Sequence, residues 1–131
     1  MQVGLLEDDL AIQEMLLLLL QDEGYAVTVY SEAEECLMAL AVTTQGPAPI
    51  PVDLMIIDWR LNGSISGTDV IERIRDNTRL HTLPIILTTA ASLDDIEGLR
   101  KHQVALLEKP FSVDDIITLI KNMTGPLPAN H

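Results

Sequence analysis

Short apolar runs alternate with segments of helical periodicity along the 131-residue chain. Such runs are typical of strands that are buried on both faces, with the intervening helices as their cover. The pattern predicts an α/β protein built around a parallel sheet. The predicted strands are 3–6, 25–30, 54–57, 84–88 and 104–107, and the predicted helices are 10–23, 32–41, 69–77, 92–102 and 113–123.

Local signals predict where several helices begin and end. Gly24 is a typical residue to end the first helix. Ser31, with Glu34 three residues later, has the spacing of a capping box for the second helix, and Ser112 is expected to cap the last one. Segment 45–51 contains three prolines, which cannot continue a helix, so we expect an exposed loop there.

Charge and cysteine content exclude some functions. Eight Lys and Arg residues against 20 Asp and Glu residues give a net charge of −12, which argues against direct binding to nucleic acid. The lone Cys36 lies in an apolar helical pattern and is expected to be buried and unreactive. The longest apolar run, 15–20, is too short to span a bilayer, and no signal peptide opens the chain. We therefore expect a cytoplasmic protein without membrane attachment.

Acidic residues follow two of the predicted strands. Glu7, Asp8 and Asp9 come after the first strand, and Asp58 ends the third. If these strands are neighbours in a parallel sheet, their carboxyl ends coincide and the carboxylates repel one another unless a cation lies among them. Mg²⁺ is the predicted cation, because it takes a few carboxylates and keeps positions open for phosphate oxygens. Asp9 is assigned instead to the positive end of the first helix.

Other strand ends supply the remaining groups that phosphoryl chemistry needs. Thr89 follows the fourth strand and Lys109 follows the fifth. A carboxylate such as that of Asp58 can attack phosphorus and form an acyl phosphate if metal and hydrogen-bond donors hold the phosphoryl oxygens. Thr89, a backbone N–H near Ala90 and the Lys109 ammonium group are the predicted donors.

The chain resembles the receiver domains of two-component response regulators, the CheY-like family, from its first strand to its last helix. The segments that carry the resemblance are 3–9, 53–58, 84–90 and 109–111. The resemblance implies a doubly wound (βα)5 flavodoxin-like sandwich with a parallel sheet in the order 2-1-3-4-5. It also implies a receiver domain over residues 1–124, followed by a tail or linker over 125–131.

The resemblance further implies a reaction and its residues. Asp58 would accept a phosphoryl group from a histidine kinase or a histidine phosphotransfer protein, and the domain would catalyse both this transfer and the later hydrolysis. Glu7, Asp8, Asp58 and the backbone carbonyl of Arg60 would bind Mg²⁺, and the peptide bond between Lys109 and Pro110 would be cis. Phosphorylation would shift a conformational equilibrium that an output partner reads. At the switch position the family usually has an aromatic residue, and this chain has Leu106.

Two other functions compete with this interpretation. Compared with the usual family pattern, the loop over 58–67 is one residue longer and the span over 89–109 is about two residues shorter. Together with Leu106, these lengths would also suit an interaction module that signals without phosphorylation. A small Mg²⁺-dependent phosphohydrolase would also use Asp58, but it needs a general acid, and the usual position for it, two residues later, holds Arg60.

The first predicted helix has two leucines outside its apolar face. Helical periodicity places Ile12, Leu16 and Leu19 on one face and leaves Leu17 and Leu18 away from it. These two are either single exposed leucines or part of a patch on which a kinase or phosphotransfer helix docks.

Overall fold

The computed structural model describes residues 1–41, 49–60, 65–89 and 104–124. In these residues the elements are β1 (Gln2–Leu6), α1 (Leu10–Asp22), β2 (Ala26–Tyr30), α2 (Ala33–Leu40), β3 (Leu54–Asp58), α3 (Gly67–Asp76), β4 (Ile85–Thr89), β5 (Ala105–Glu108) and α4 (Val113–Thr124). The helix predicted for 92–102, most of the proline-rich segment and the tail 125–131 lie outside the described residues.

The five strands form one parallel sheet in the order β2-β1-β3-β4-β5, which confirms the predicted order. The register pairs Leu6 with Ile57 and Asp58 with Thr88. The carboxyl ends of the three central strands therefore meet at one edge of the sheet. Ligands of open α/β sheets bind at this edge.

Helices cover both faces of the sheet. Residues of α2 and α3 pack on one face, where Met55 and Ile57 of β3 point. Residues of α1 and α4 pack on the other face, which receives Leu54 and Ile56. Strand β3 is buried along its whole length, so the residue at its end is held by a strand that is packed on both sides.

The ends of α1 follow the sequence signals. The Asp9 side chain accepts hydrogen bonds from the N–H groups of Ala11 and Ile12, as its assignment to the helix start predicts. Gly24 follows the C-cap residue with φ +94°, a conformation that suits glycine.

The predicted cap of α2 is wrong. Glu32, not Ser31, occupies the N-cap position, and no side chain caps this helix. The Ser31 N–H donates to the Glu35 carboxylate at 3.1 Å, so the acid lies four residues after the serine, not three. The Ser31 hydroxyl is 3.2 Å from the Gln13 side-chain nitrogen, and this long-range contact takes the place of the cap.

Helix α3 starts two residues earlier than predicted. Ser66 is its N-cap and forms a reciprocal capping box with Asp69, while Gly67 is the first helical residue. Ser112 and Asp115 form the same pair of bonds at the start of α4, as predicted for Ser112.

Two smaller expectations can also be compared with the fold. Cys36 is fully buried, as predicted, and burial raises the pKa of its thiol to about 12. No helix in the described part of the chain is both long and apolar enough to cross a lipid bilayer.

Candidate metal centre at the carboxyl edge of the sheet

Three carboxylates converge where β1 and β3 end. Glu7 and Asp8 lie in the turn between β1 and α1, and Asp58 is the last residue of β3. One carboxylate oxygen from each lies within 4.8 Å of the others. Glu7 is only 2% exposed and Asp58 only 7%, so water screens these charges poorly. The structure thus brings together the three acids that the sequence predicted as a group.

Lys109 brings a positive charge to these acids. Its Nζ is 3.2 Å from Asp58 Oδ1 and 3.6 Å from Glu7 Oε1. The Lys109 N–H donates to the Thr89 carbonyl oxygen at 2.7 Å, which extends the pairing of β4 and β5 to this residue. The peptide bond between Lys109 and Pro110 is cis, as the resemblance implied.

Glu7 has the most perturbed acidity of the group. Burial is the largest cause that raises the pKa of its carboxyl, to about 7, and the hydrogen bond and charge of Asp58 raise it further. Lys109 and a backbone N–H act in the opposite direction. The N–H groups of Asp8 and Asp9 donate to Glu7 Oε2 at 3.1 and 3.4 Å, so this oxygen is tied to its own turn.

Backbone contacts fix the residues on either side of Asp58. The Trp59 N–H donates to the Thr88 carbonyl oxygen at 2.9 Å, and the Arg60 N–H lies 3.4 Å from Asp58 Oδ1. Gly67 donates its N–H to the Trp59 carbonyl oxygen at 3.3 Å. A side-chain carbon at Gly67 would overlap the Asp58 carbonyl oxygen, so this glycine allows α3 to approach the end of β3 closely.

Of the other predicted site residues, Thr89 and Leu106 lie on β4 and β5, and Arg60 follows β3. Thr89 is buried at the end of β4, next to β3, and Leu106 of β5 is half-buried opposite Leu87. Arg60 is exposed, and its guanidinium lies 5.6 Å from the centre of the Trp59 ring. Ala90 lies outside the described residues.

Sequence reasoning missed Gln13, although a signal was present. Its side-chain nitrogen donates to the Glu7 carbonyl oxygen and to Ser31 Oγ. Gln13 lies seven residues before the fully buried Leu20, and two helical turns place both side chains on the same face. A polar side chain on a core-facing position needs buried hydrogen-bond partners, which was the available clue.

The charges of this site suit a hard divalent cation. Three carboxylates against one ammonium group leave an excess of negative charge when Glu7 is ionised. Carboxylate oxygens that come from two adjacent backbone segments are a donor set that Mg²⁺ accepts. The Asp58 carboxylate therefore lies where a metal and Lys109 together can neutralise a phosphoryl group.

A family model described as the response regulator receiver domain matches residues 3–121. The phosphate regulon transcriptional regulatory protein PhoB of Rhizobium meliloti (strain 1021) is 30% identical over 124 residues, which cover 93% of this chain and 51% of PhoB. The regulatory protein VanR of Enterococcus faecium is 31% identical over 122 residues, which cover 92% of this chain and 48% of VanR. The chain thus spans about half the length of these two relatives.

A solved structure supports the same similarity. The response regulator protein TrrA from Thermotoga maritima, in complex with Mg²⁺-BeF, superposes with a TM-score of 0.74 at 27% identity. The match covers 93% of this chain and 97% of the TrrA chain.

Proposed function

The chain belongs to the response regulator receiver domain family, and from this membership we propose that Asp58 is the residue that accepts the phosphoryl group. The observation that carries the proposal is the position of Asp58, which ends a buried strand within 4.8 Å of two other carboxylates and 3.2 Å from Lys109. The donor would be a phosphohistidine of a histidine kinase or a phosphotransfer protein.

In the proposed reaction, an Asp58 carboxylate oxygen attacks phosphorus and the bond from phosphorus to the histidine nitrogen breaks. The product is an acyl phosphate, and the histidine leaves with its nitrogen reprotonated. A water molecule later attacks the same phosphorus, which releases inorganic phosphate and restores the carboxylate. Lys109 would pair with a phosphoryl oxygen, and Thr89 and the Ala90 N–H would donate to the others.

We assign Mg²⁺ to Glu7, Asp8, Asp58 and the backbone carbonyl of Arg60. When bound, the metal would neutralise charge on the phosphoryl oxygens. The surplus of carboxylates over ammonium groups in this cluster supports the assignment. TrrA, which was crystallised with Mg²⁺-BeF, supports it by analogy.

The proposal also concerns which residues form the receiver unit and how phosphorylation is passed on to a partner. Residues 1–124 would form the receiver unit and 125–131 a tail or linker. Phosphorylation would shift the end of β4, with Thr89, and the half-buried Leu106 of β5, and a partner would recognise the altered surface. A leucine at position 106 would act through packing alone, because it has no polar end to exchange between water and the interior.

Labelling with a small phosphodonor tests the role of Asp58. With acetyl phosphate and Mg²⁺, intact-mass measurement should detect one added phosphoryl group, and Asp58→Asn should abolish it. Asp53→Asn is the matched control, because Asp53 precedes the same strand at its opposite end. Labelling that persists in Asp58→Asn, or no labelling of the wild type with Mg²⁺ present, would contradict the proposal.

A phosphohistidine-bearing helix of the donor protein is the proposed occupant of the surface beside Lys109. A groove of about 490 Å³ is lined by Ile12, Met15, Lys109, Pro110 and Phe111, so its lining includes the lysine that contacts Asp58. Leu18, on the same helix as Met15, is 65% exposed. A donor that delivers phosphorus to Asp58 must cover this edge, and an amphipathic helix would cover the apolar groove.

Comparing a protein phosphodonor with a small-molecule phosphodonor should distinguish an effect on docking from an effect on the reaction at Asp58. We expect Leu18→Gln to slow phosphotransfer from a phosphorylated histidine kinase that the wild type accepts, and to leave labelling by acetyl phosphate unchanged. Met38→Gln is the control, because Met38 is an 81% exposed residue on α2. Equal effects of the two substitutions on phosphotransfer would argue against docking on α1.

A further inference from the structure

We propose that Gln13 is a positioning residue that orients the metal ligands Glu7 and Asp8, an inference that rests on the proposed function. Gln13 belongs to α1, outside the carboxylate group, and its side chain is buried. Its Nε2 donates to the Glu7 carbonyl oxygen and, at 3.2 Å, to Ser31 Oγ.

The Glu7 carbonyl belongs to the peptide unit that joins the two ligands. A peptide unit is planar, so the direction of this carbonyl also sets the direction of the Asp8 N–H. That N–H donates to Glu7 Oε2 at 3.1 Å. By holding the carbonyl, Gln13 therefore fixes the orientation of the plane from which both carboxylates project.

The other side of Glu7 is fixed by the sheet. Its N–H donates to the Tyr30 carbonyl oxygen at 3.2 Å, one step beyond the last pair of β1 and β2. The backbone hydrogen bonds between β1 and β2 end at this N–H. The next hydrogen bond along the chain is the one from Gln13 to the Glu7 carbonyl oxygen. The turn that carries Asp8 is thus held to α1 by the Gln13 amide as well as by the Asp9 cap.

The buried amide would be costly if its only task were packing. The face of α1 that carries Gln13 also carries Leu16 and Leu20, both buried, and an apolar side chain would fill that space without polar groups to satisfy. The amide instead spans from α1 to the end of β1 and to Ser31, between β2 and α2. Three segments thus meet at one side chain beside the acids.

Gln13→Met tests the proposal, because methionine keeps the length of the side chain and removes the donor. Trp59, the only tryptophan in the sequence, adjoins Asp58, so we expect its fluorescence to change when Mg²⁺ binds. We expect the Kd for Mg²⁺ to rise by about tenfold, as is usual when a partner that orients a ligand is lost. At saturating Mg²⁺, the rate of labelling by acetyl phosphate should return to that of the wild type.

Controls separate positioning from general damage. Gln21→Met changes an exposed glutamine of the same helix, and Ser31→Ala removes the second acceptor but keeps the bond to Glu7, so both should leave the Kd unchanged. If Gln13→Met does not fold, Gln13→Asn, whose amide is too short to reach, should raise the Kd in the same direction.

The outcomes also separate this inference from the metal assignment. A wild-type protein whose Trp59 does not respond to Mg²⁺ would contradict the metal site, and this proposal with it. A wild type that responds, together with Gln13 variants that have the same Kd, would overturn the role of Gln13 alone. A labelling rate that stays low at saturating Mg²⁺ would also overturn it, because the defect would then not be in the ligands.

Discussion

In the proposed metal site, protons and Mg²⁺ would compete for the Glu7 carboxylate. Burial and Asp58 raise the pKa of its carboxyl to about 7 in the metal-free protein, and a metal binds the ionised form. We expect the apparent Mg²⁺ affinity to level off above pH 7 and to fall by about tenfold per pH unit below it. Trp59 fluorescence titrations at a series of pH values would measure this. Glu7→Gln should bind Mg²⁺ weakly and should lose most of this dependence.

The same carboxyl should make folding stability depend on pH without metal. Its folded-state pKa, about 7, lies above the ordinary value of 4.5 for a glutamate, so the folded protein binds more protons than the unfolded chain between these values. The contribution is complete below about pH 4.5 and is lost as the pH rises through 7. Urea unfolding in a chelator should show the free energy of unfolding decreasing over this window. Glu7→Gln should flatten the decrease, and Glu14→Gln, at an exposed position of α1, should not.

Lys109 balances part of the negative charge of the acids and, in the proposed function, takes part in the response to phosphorylation. Its ammonium group contacts both Asp58 and Glu7, so it would follow the charge on Asp58 when a phosphoryl group is added. We expect Lys109→Ala to retain labelling by acetyl phosphate with Mg²⁺ but to lose the backbone amide shifts that beryllofluoride induces in β5. Lys121→Ala, at an exposed position of α4, is the control and should behave like the wild type. Normal β5 shifts in Lys109→Ala would assign the response to other residues.

At the scale of elements, the approach of α3 to β3 depends on Gly67. A methyl group there would overlap the Asp58 carbonyl oxygen and lie 3.0 Å from the Trp59 Cα, both of which are backbone atoms. We expect Gly67→Ala to lower the free energy of unfolding by about 1–3 kcal/mol and to slow the labelling of Asp58. Urea unfolding and intact-mass kinetics measure the two effects.

Gly24→Ala is a control that should lower the free energy of unfolding by a similar amount, at a position far from the site. Its φ of +94° strains any other residue, but a methyl group would meet nothing within 4 Å. Gly24→Ala should cost about 1–2 kcal/mol and leave the labelling rate unchanged. If the two variants label at the same rate, the close approach at Gly67 does not position Asp58.

The elements also show which contacts local sequence patterns can predict. Strands β3 and β4 were predicted because their apolar runs are continuous, and Asp9 because its acceptor and donors lie within three residues. Ser31 was assigned wrongly because its hydroxyl has a partner 18 residues away, and spacing along the chain carries no information about such a pair. Gln13 lies at a core-facing position, which was a clue, but the sequence does not show that its acceptors are the Glu7 carbonyl oxygen in the turn before α1 and Ser31 Oγ.

At the scale of the whole molecule, Cys36 reports on global opening. The thiol is fully buried and its pKa is raised to about 12, so a thiol reagent should react only when the domain opens. The proposed Mg²⁺ site exists only in the folded form, so we expect Mg²⁺ to slow the reaction further at fixed pH. The rate of thiol labelling with and without Mg²⁺ measures this. Glu7→Gln should remove the protection by Mg²⁺, and protection that survives in this variant would place the metal elsewhere.

The sheet register explains why acids 51 residues apart were predictable as a group. Leu6 pairs with Ile57, so the next residue along each strand is an acid, and the two side chains reach the same edge. The sequence predicted this from parallel pairing, but it did not predict the Lys109 distances, which depend on how β5 follows β4. Strand order limits which residues can meet, and packing then determines how closely they meet.

This register also determines where the chain can change in length. One residue inserted inside β3 would reverse which side chains face each layer and would carry Asp58 past Glu7 by a full step. An insertion before Val52, where Pro49 and Pro51 are exposed, would leave the phase of β1 against β3 unaltered. We therefore expect insertions and deletions in evolution to occur in the loops that connect strands and helices, and the strands to keep a constant length.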